Sequence, residues 1–479
     1  MNKQYFQDIV KGEYGRQVAT TDVEVITKDN VVDVLNATVH VLTANYAAAN
    51  YLWNYKKGDQ PVLYRTNTIR EDVNNPVCEN HAWEFTQFGV TQTYGEPIQY
   101  VRRKKSDAET DDKKDKAVDA LNDIMQSAFK FVRNATQGEW KIATGTSYLA
   151  LRRTKIKNKP ISIAVPTPLN TYIVYSSVTD EPLLSVQRLK DTNNEEYYHC
   201  YSNNMEFKIK AGTLISYNLH AFGGIPIVEI PNNIDRLSDI ELVISMLDAI
   251  NNMQSNRMDA VQQFVQFLMV FTNCEIDSEQ YQEMKKTGAI TVKSNNSDQK
   301  PAVDILAQEL NQSESQVAKD DLLANAESIL AIPSKQGGTG GDTQGAVELR
   351  NGWDFSKGRA KIKDAYVKEG ELRFAELALN ALRIDEINLG LSINDIDVQI
   401  SHSPTDNLQV KAQSLQMLLT AGIHPLVAIK TCGLWSDVEK VFLMSKDYLD
   451  AKYKTIQNVE EEEQKAQALL ASQSGDTEW

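Results

Sequence analysis

The chain has few cysteines, no excess of positive charge, no long apolar run and no enzyme signature. Each absence removes a class of function. Its four cysteines, Cys78, Cys200, Cys274 and Cys432, are far apart. None belongs to a CxxC or to a Cys/His pair at ligand spacing, which argues against zinc and leaves free thiols in a reducing compartment. Met1-Asn2-Lys3-Gln4-Tyr5-Phe6 opens without an apolar core, so no signal peptide is expected. The most apolar stretch, Val261 to Phe271, is interrupted by Gln262, Gln263 and Gln266. It falls short of the ~18–20 residues of a membrane span. Lysine and arginine number 50 against 65 aspartates and glutamates, a net charge of −15. A protein that grips nucleic acid by neutralising phosphates is normally basic. An acidic surface instead repels DNA and lets it slide.

Catalytic motifs are equally scarce. There is no HExxH and no GxSxG. The histidines, at positions 40, 81, 199, 220, 402 and 424, are scattered. Carboxylates are abundant, but no spacing singles out a pair for acid–base work. No cofactor is implied, and no metal.

What is present is a chain of 479 residues with 42% apolar and 24% charged content. That is enough for two to four domains with a sizeable core. The expected fold class is α+β, mainly helical. Residues 1 to 57 are helical in large part, ending at Lys57-Gly58-Asp59 as a C-cap. A short helix is expected from His81 to Phe88. The run Arg102-Arg103-Lys104-Lys105 reads better as a solvated loop than as a nucleic-acid patch, because acids follow at once. A helix from Lys116 to Gln137 puts Val118, Leu121, Ile124, Met125, Phe129 and Val132 on one face. From Gly145 to Val228 the period changes to that of strands, with Asn193-Asn194 and Asn203-Asn204 at turns: an antiparallel meander rather than a βαβ array.

Ser238, with Glu241 three residues on, caps a helix expected to reach about Phe271, roughly 50 Å long. Its middle, Asn251 to Arg257, is polar on most faces. Residues 274 to 311 form a small insert with strands at 290–293 and 302–306. A second helix follows, then Gln336-Gly337-Gly338-Thr339-Gly340-Gly341-Asp342, then a very long helix from about Thr343 to Leu382. Asp397 to His402 is a strand able to rejoin the earlier sheet. Helices are expected over Asn407–Ala421, Pro425–Cys432 and Trp435–Leu449, before an acidic tail expected to fray into disorder.

The glycine break is the least ordinary stretch. Four glycines in five positions make a flexible loop that another backbone can approach closely. Holding a phosphate, hinging two domains and lining a passage are all open to it. It lacks the Gly-Lys-[Ser/Thr] of a phosphate loop, and Asp342-Thr343 stands where that lysine is wanted.

The order of segments resembles a known family. Phe222-Gly223-Gly224-Ile225-Pro226-Ile227-Val228 through Asn232-Asn233 is similar to its F-G-x-I-P signature. Leu247-Asp248-Ala249-Ile250-Asn251 and Ser255 to Asp259 resemble a run on its first long helix. Thr339 to Leu349 resembles its Gly-rich loop and the helix start beyond. Ala421 to Ala428 and Trp435 to Lys440 look like its late pair of motifs. The family is the portal proteins of tailed double-stranded-DNA bacteriophages, of the type found in siphophages of Gram-positive bacteria. His424-Pro425 departs from the usual Ser-Lys.

The resemblance implies a phage portal fold with long stem and wing helices, an antiparallel meander in the wing, a small α/β clip and a helical crown. Carried onto this chain, the wing covers 1–237 and 344–406, and the stem 238–273 and 312–335. The clip covers 274–311, the tunnel loop 336–343, the crown 407–460 and the acidic tail 461–479. It implies a ring of twelve subunits at one capsid vertex, assembled in the host cytoplasm and carried in the virion. DNA is packaged and ejected through the ring without sequence specificity. Partners are the terminase large subunit, the head-completion adaptor, and the major capsid and scaffolding proteins. The candidate tunnel-loop residues are Lys335, Gln336, Gly337, Gly338, Thr339, Gly340, Gly341 and Asp342. The candidate channel-lining residues are Glu314, Lys319, Asp320, Asp321 and Glu327. Two rival readings are a nucleotide-binding enzyme using the glycine loop and a non-viral helical scaffold or adaptor.

Overall fold

The computed structural model describes residues 14–66, 73–103, 112–156, 159–265, 268–272, 302–306, 312–333, 352–402, 408–435 and 441–448, with 279, 282 and 438. The chain divides into two compact units, Met1–Ile400 and Ser401–Trp479.

The first unit begins with β1 (Ala19–Thr21) and α1 (Val31–Lys56). Lys57 is the C-cap of α1 and Gly58 follows at φ +96, as the Lys57-Gly58 signal requires. Then come α2 (His81–Tyr94), β2 (Gln99–Arg102), α3 (Asp112–Ser127) and α4 (Lys130–Thr144). The single helix expected over 116–137 is two. Its apolar period holds through Val118, Leu121 and Met125, which are buried. It fails at Phe129, which takes the left-handed conformation with φ +58 and ends the run. Arg102 of the basic run is an element residue, ion-paired to Asp115 at 2.9 Å.

Strands follow in two sheets. β3 (Thr146–Ile156), β4 (Lys159–Ala164) and β10 (Ile227–Pro231) form one, in the order β10-β3-β4. β5 (Thr171–Ser176), β6 (Pro182–Lys190), β7 (Glu196–Tyr201), β8 (Met205–Lys210) and β9 (Thr213–Leu219) form an antiparallel meander. β1 adds to its β5 edge in parallel. α1 covers one face of this sheet, burying Val31, Val34, Leu35 and Leu42 against Val174, Leu184, Val186 and Phe207. At the start of β3, Gly145 sits at φ +88. A Cβ there would lie 1.9 Å from the Arg236 carbonyl oxygen, so only glycine lets the two backbones pass.

After β10 the chain enters α5 (Asp239–Val265), β11 (Leu268–Thr272), β12 (Ala302–Leu306) and α6 (Gln312–Ile329). The helix expected to run to about Phe271 therefore stops at Val265. Residues 268–272 pair antiparallel with 302–306 instead. Leu268-Met269-Val270-Phe271-Thr272 is rich in residues that suit a strand, and a partner strand decides the matter. The expected strand at 290–293 lies outside the described residues.

α7 (Trp353–Ile384) is the longest helix of the described residues and the spine of the main core. Phe374, Ala375, Ala378 and Leu382 pack there with residues of β3, β4, β10 and β13 (Ile396–Gln399). β13 does not rejoin the meander. It pairs antiparallel with β2, from Ile396 opposite Arg102 to Gln399 opposite Gln99.

The second unit contains α8 (Leu408–Thr420) and α9 (Pro425–Cys432), with a further helical stretch at 441–448. His424 caps α9, its Nδ1 accepting the Leu426 N–H at 3.3 Å, and Pro425 occupies the first turn, where no N–H is missed. Lys411 Nζ donates to the Gly433 carbonyl at 2.9 Å and ties the two helices.

Candidate functional site

The polar middle of α5 has a specific use. Tyr55 donates to Asp248 Oδ1 at 2.8 Å. Asn251 Oδ1 accepts the Glu79 backbone N–H at 2.8 Å, Ser255 Oγ accepts that of Val77 at 2.9 Å, and Asp259 Oδ1 accepts that of Asn75 at 2.7 Å. Asn251, Ser255 and Asp259 are all buried. Residues 75–79 thus lie extended and antiparallel along the helix, one backbone N–H per helical turn. Four helical residues rise ~6.0 Å and two extended residues ~6.6–6.8 Å, so the two periods nearly match. Arg65 also pairs with Asp259, and Asn251 donates to Gln60. We call residues 73–80 the strap.

α6 returns antiparallel along α5. Near the start of α5, Ile240, Val243, Ile244, Leu247 and Ile250 pack with Ala326, Leu330 and Ile332 from the end of α6. Farther along, Arg257 Nη1 donates to Gln316 Oε1 at 2.8 Å. Lys319 Nζ lies 2.6 Å from Glu79 Oε1, so the strap is held by both helices.

This geometry sorts the acidic candidates of α6. Glu314, Asp320 and Asp321 are exposed, and Glu327 is half-buried. Lys319 is turned sideways into the Glu79 pair, with its side chain 14% exposed. Lys335, Gln336, Gly337, Gly338, Thr339, Gly340, Gly341 and Asp342 lie outside the described residues. The strap residues were not among the sequence candidates. Their signal is the spacing of Asp248, Asn251, Ser255, Asp259 and Gln262, a polar stripe at helical period along α5.

The base of the helix pair is locked to α7. Ser238 starts α5: its Oγ accepts the Ile240 N–H at 3.0 Å, and Glu241 accepts the Ser238 N–H at 2.7 Å. The Glu241 half of the expected capping box is therefore formed in place, while the Ser238 hydroxyl takes the N–H one residue earlier than the box has it. Glu241 also holds Arg16 in a buried ion pair. Asp239 accepts from Lys363 of α7 at 2.6 and 2.7 Å, and Arg359 donates to the Ile329 carbonyl at the end of α6. Between them is a cleft lined by Phe85, Gln92, Lys141, Arg359 and Lys363. Lys141 is buried there, its ammonium 5.3 Å from the Tyr94 ring centroid. Burial first, then the charge of Lys363, pushes its pKa down to about 7.

Two other groups feel their burial. Asp248, against Tyr55, is pushed up to about 6 by desolvation, which the Tyr55 hydrogen bond opposes. Lys130, Asn134 and Tyr100 surround the Glu371 carboxylate within the main core, and burial lowers the Lys130 pKa while Glu371 raises it. Among the described residues no group of three or more His, Cys, Asp or Glu side chains is placed to hold a metal. No helix of those residues is long and apolar enough to cross a membrane.

An antiparallel helix pair strapped along its length and anchored on a long core helix is an architectural element, and sequence comparison gives its class: the phage portal proteins match residues 39–468. The chain belongs to the SPP1 Gp6-like family of phage portal proteins. No curated protein matches it. Among solved structures it is similar to a chain described as the neck of an empty GTA particle computed with C6 symmetry. The identity is 11% and the TM-score 0.43, over 74% of this chain and 90% of that one.

Proposed function

We propose that the chain is one subunit of a ring of twelve, set at one vertex of the capsid, through which double-stranded DNA is packaged and later ejected. The observation that carries this reading is the family match over residues 39–468. In it, α5 and α6 are the stem, and β11, β12 and the residues between them are the clip, which therefore starts at Leu268 rather than after residue 273. The two sheets, α1 to α4, α7 and β13 make the wing. Residues 336–343 are the tunnel loop and 407–460 the crown. The clip meets the terminase large subunit during packaging and the head-completion adaptor afterwards; major capsid and scaffolding proteins surround the ring. The ring has no active site of its own and needs no cofactor.

Two features support the reading physically. The exposed carboxylates Glu314, Asp320 and Asp321 on α6 give a face that repels phosphates and prevents sticking. The strap and the Lys319–Glu79 pair brace the stem along its length.

Images of the purified full chain test this directly. A ring with a central hole and twelve-fold mass is expected, and a stable monomer or dimer under all conditions sinks the proposal. Deleting residues 337–341 should leave rings intact and impair DNA packaging or retention. Loss of folding in that variant would make the loop structural instead.

A further inference from the structure

The first turn of α4 is inside out. Lys130 and Asn134 face inward to Glu371, with Lys130 Nζ 2.7 Å from each carboxylate oxygen. Phe129, Phe131 and Val132 face outward, 60%, 45% and 56% exposed. The left-handed backbone at Phe129 accompanies this arrangement, a conformation that a bulky side chain rarely adopts. Outside, Lys159 Nζ sits 4.8 Å from the Phe129 ring centroid. Ile156, the register partner of Lys159 in the β3–β4 hairpin, is 63% exposed. Arg133 is exposed one residue farther along α4. The result is a patch of four large apolar side chains edged by two cations. A helix that turns its lysine inward and its aromatics outward has a surface suited to a partner rather than to water.

We infer that this patch is a subunit contact of the ring, in which the Phe129–Val132 turn of one copy docks against an acidic part of the next copy. The inference rests on the ring assembly proposed above. Charge selects the occupant: the patch is edged by Lys159 and Arg133, while each copy carries a net charge of −15 and so presents an excess of carboxylates. Charge also selects the geometry. Two such patches facing each other across a two-fold axis would bring like charges together. A head-to-tail contact joins the patch to a different surface, and such contacts form a ring when the rotation from copy to copy closes.

The test uses the full chain and compares Phe131→Ser/Val132→Ser, Arg133→Glu and Phe129→Gly with the unaltered protein. Light scattering and particle images report assembly; circular dichroism melting reports folding. Both residues of the double variant are exposed, so its melting should stay native while assembly shifts to at least ten-fold higher protein concentration. Arg133→Glu should weaken assembly, and added salt should weaken the unaltered ring. Phe129→Gly suits the left-handed backbone, so its dissociated chain should melt higher although its ring is weaker. Native-melting variants that assemble at the unaltered concentration overturn the patch and leave the ring reading standing. A two-fold dimer held through the patch overturns the head-to-tail contact. An unaltered chain that never forms rings overturns both readings. If the double variant fails to fold, unchanged assembly in Arg133→Glu and Phe129→Gly overturns the inference.

Discussion

Lys130 and Glu371, separated by 241 residues, form a buried ion pair with the lysine ammonium 2.7 Å from each carboxylate oxygen. Asn134 and Tyr100 complete the carboxylate's partners at 3.2 and 2.8 Å. Taking two charges out of water is costly, and the pair persists because every partner is in place. Removing one charge strands the other. Glu371→Leu alone should cost about 3–5 kcal/mol of folding stability in urea titration. Lys130→Met in the same background should restore much of that loss. Additive losses would mean that the pair is not coupled.

The strap makes a prediction about exchange rather than activity. Ser255→Ala leaves the Val77 N–H without its acceptor, a loss of about 1–3 kcal/mol. Amide exchange at Val77 should accelerate most, with Asn75 and Glu79 following because their rungs are neighbours. Uniform exchange across the chain would point to global loosening instead.

Asp248 sets a pH dependence with a definite sign. Its folded pKa, pushed up to about 6, lies above its ordinary value of 3.8, so the fold favours the protonated acid. Its contribution is most favourable below pH ~4, falls as pH rises through ~4 to 6, and is flat above. At 1.36 kcal/mol per pKa unit the fall is at most about 3 kcal/mol, and solvent access to this partly exposed group makes it smaller. Asp248→Asn should remove that part of the slope. Melting temperatures at pH 4, 5, 6 and 7 for both proteins measure it, and parallel curves would refute the assignment.

Gly145→Ala should prevent the start of β3 from forming. The added Cβ meets the Arg236 carbonyl at 1.9 Å, and the backbone is left-handed at φ +88. Loss of soluble, cooperatively melting protein is expected. Gly212→Ala is the control: its φ is +72, but nothing lies within 4 Å, so it should cost only about 1–2 kcal/mol.

Much of the fold is legible where local pattern and tertiary environment agree. The Lys57-Gly58 helix end, the strands of the meander and the Pro425 helix start all follow from neighbours in sequence. The α3–α4 break is not legible, because the apolar period of Val118, Leu121 and Met125 continues smoothly onto Phe129 and Val132. What overrides it is Glu371, 241 residues from Lys130. The same holds at Val265, where strand pairing with residues 302–306 ends a helix that its own pattern would extend. At the candidate site, the acidic positions of α6 could be named from sequence. The capture of Lys319 by Glu79 could not, since no periodicity relates the two.

The strap and α5 behave as a vernier. One scale advances ~6.0 Å per four helical residues, the other ~6.6–6.8 Å per pair of extended residues, so each rung adds ~0.6–0.8 Å of offset. Three rungs, at Asn251, Ser255 and Asp259, stay in phase. Three residues past Asp259, Gln262 accepts from the side-chain amide of Asn75. Register between the two repeats therefore decides which residues can brace the stem. An insertion in the strap would not lengthen the brace but throw it out of phase.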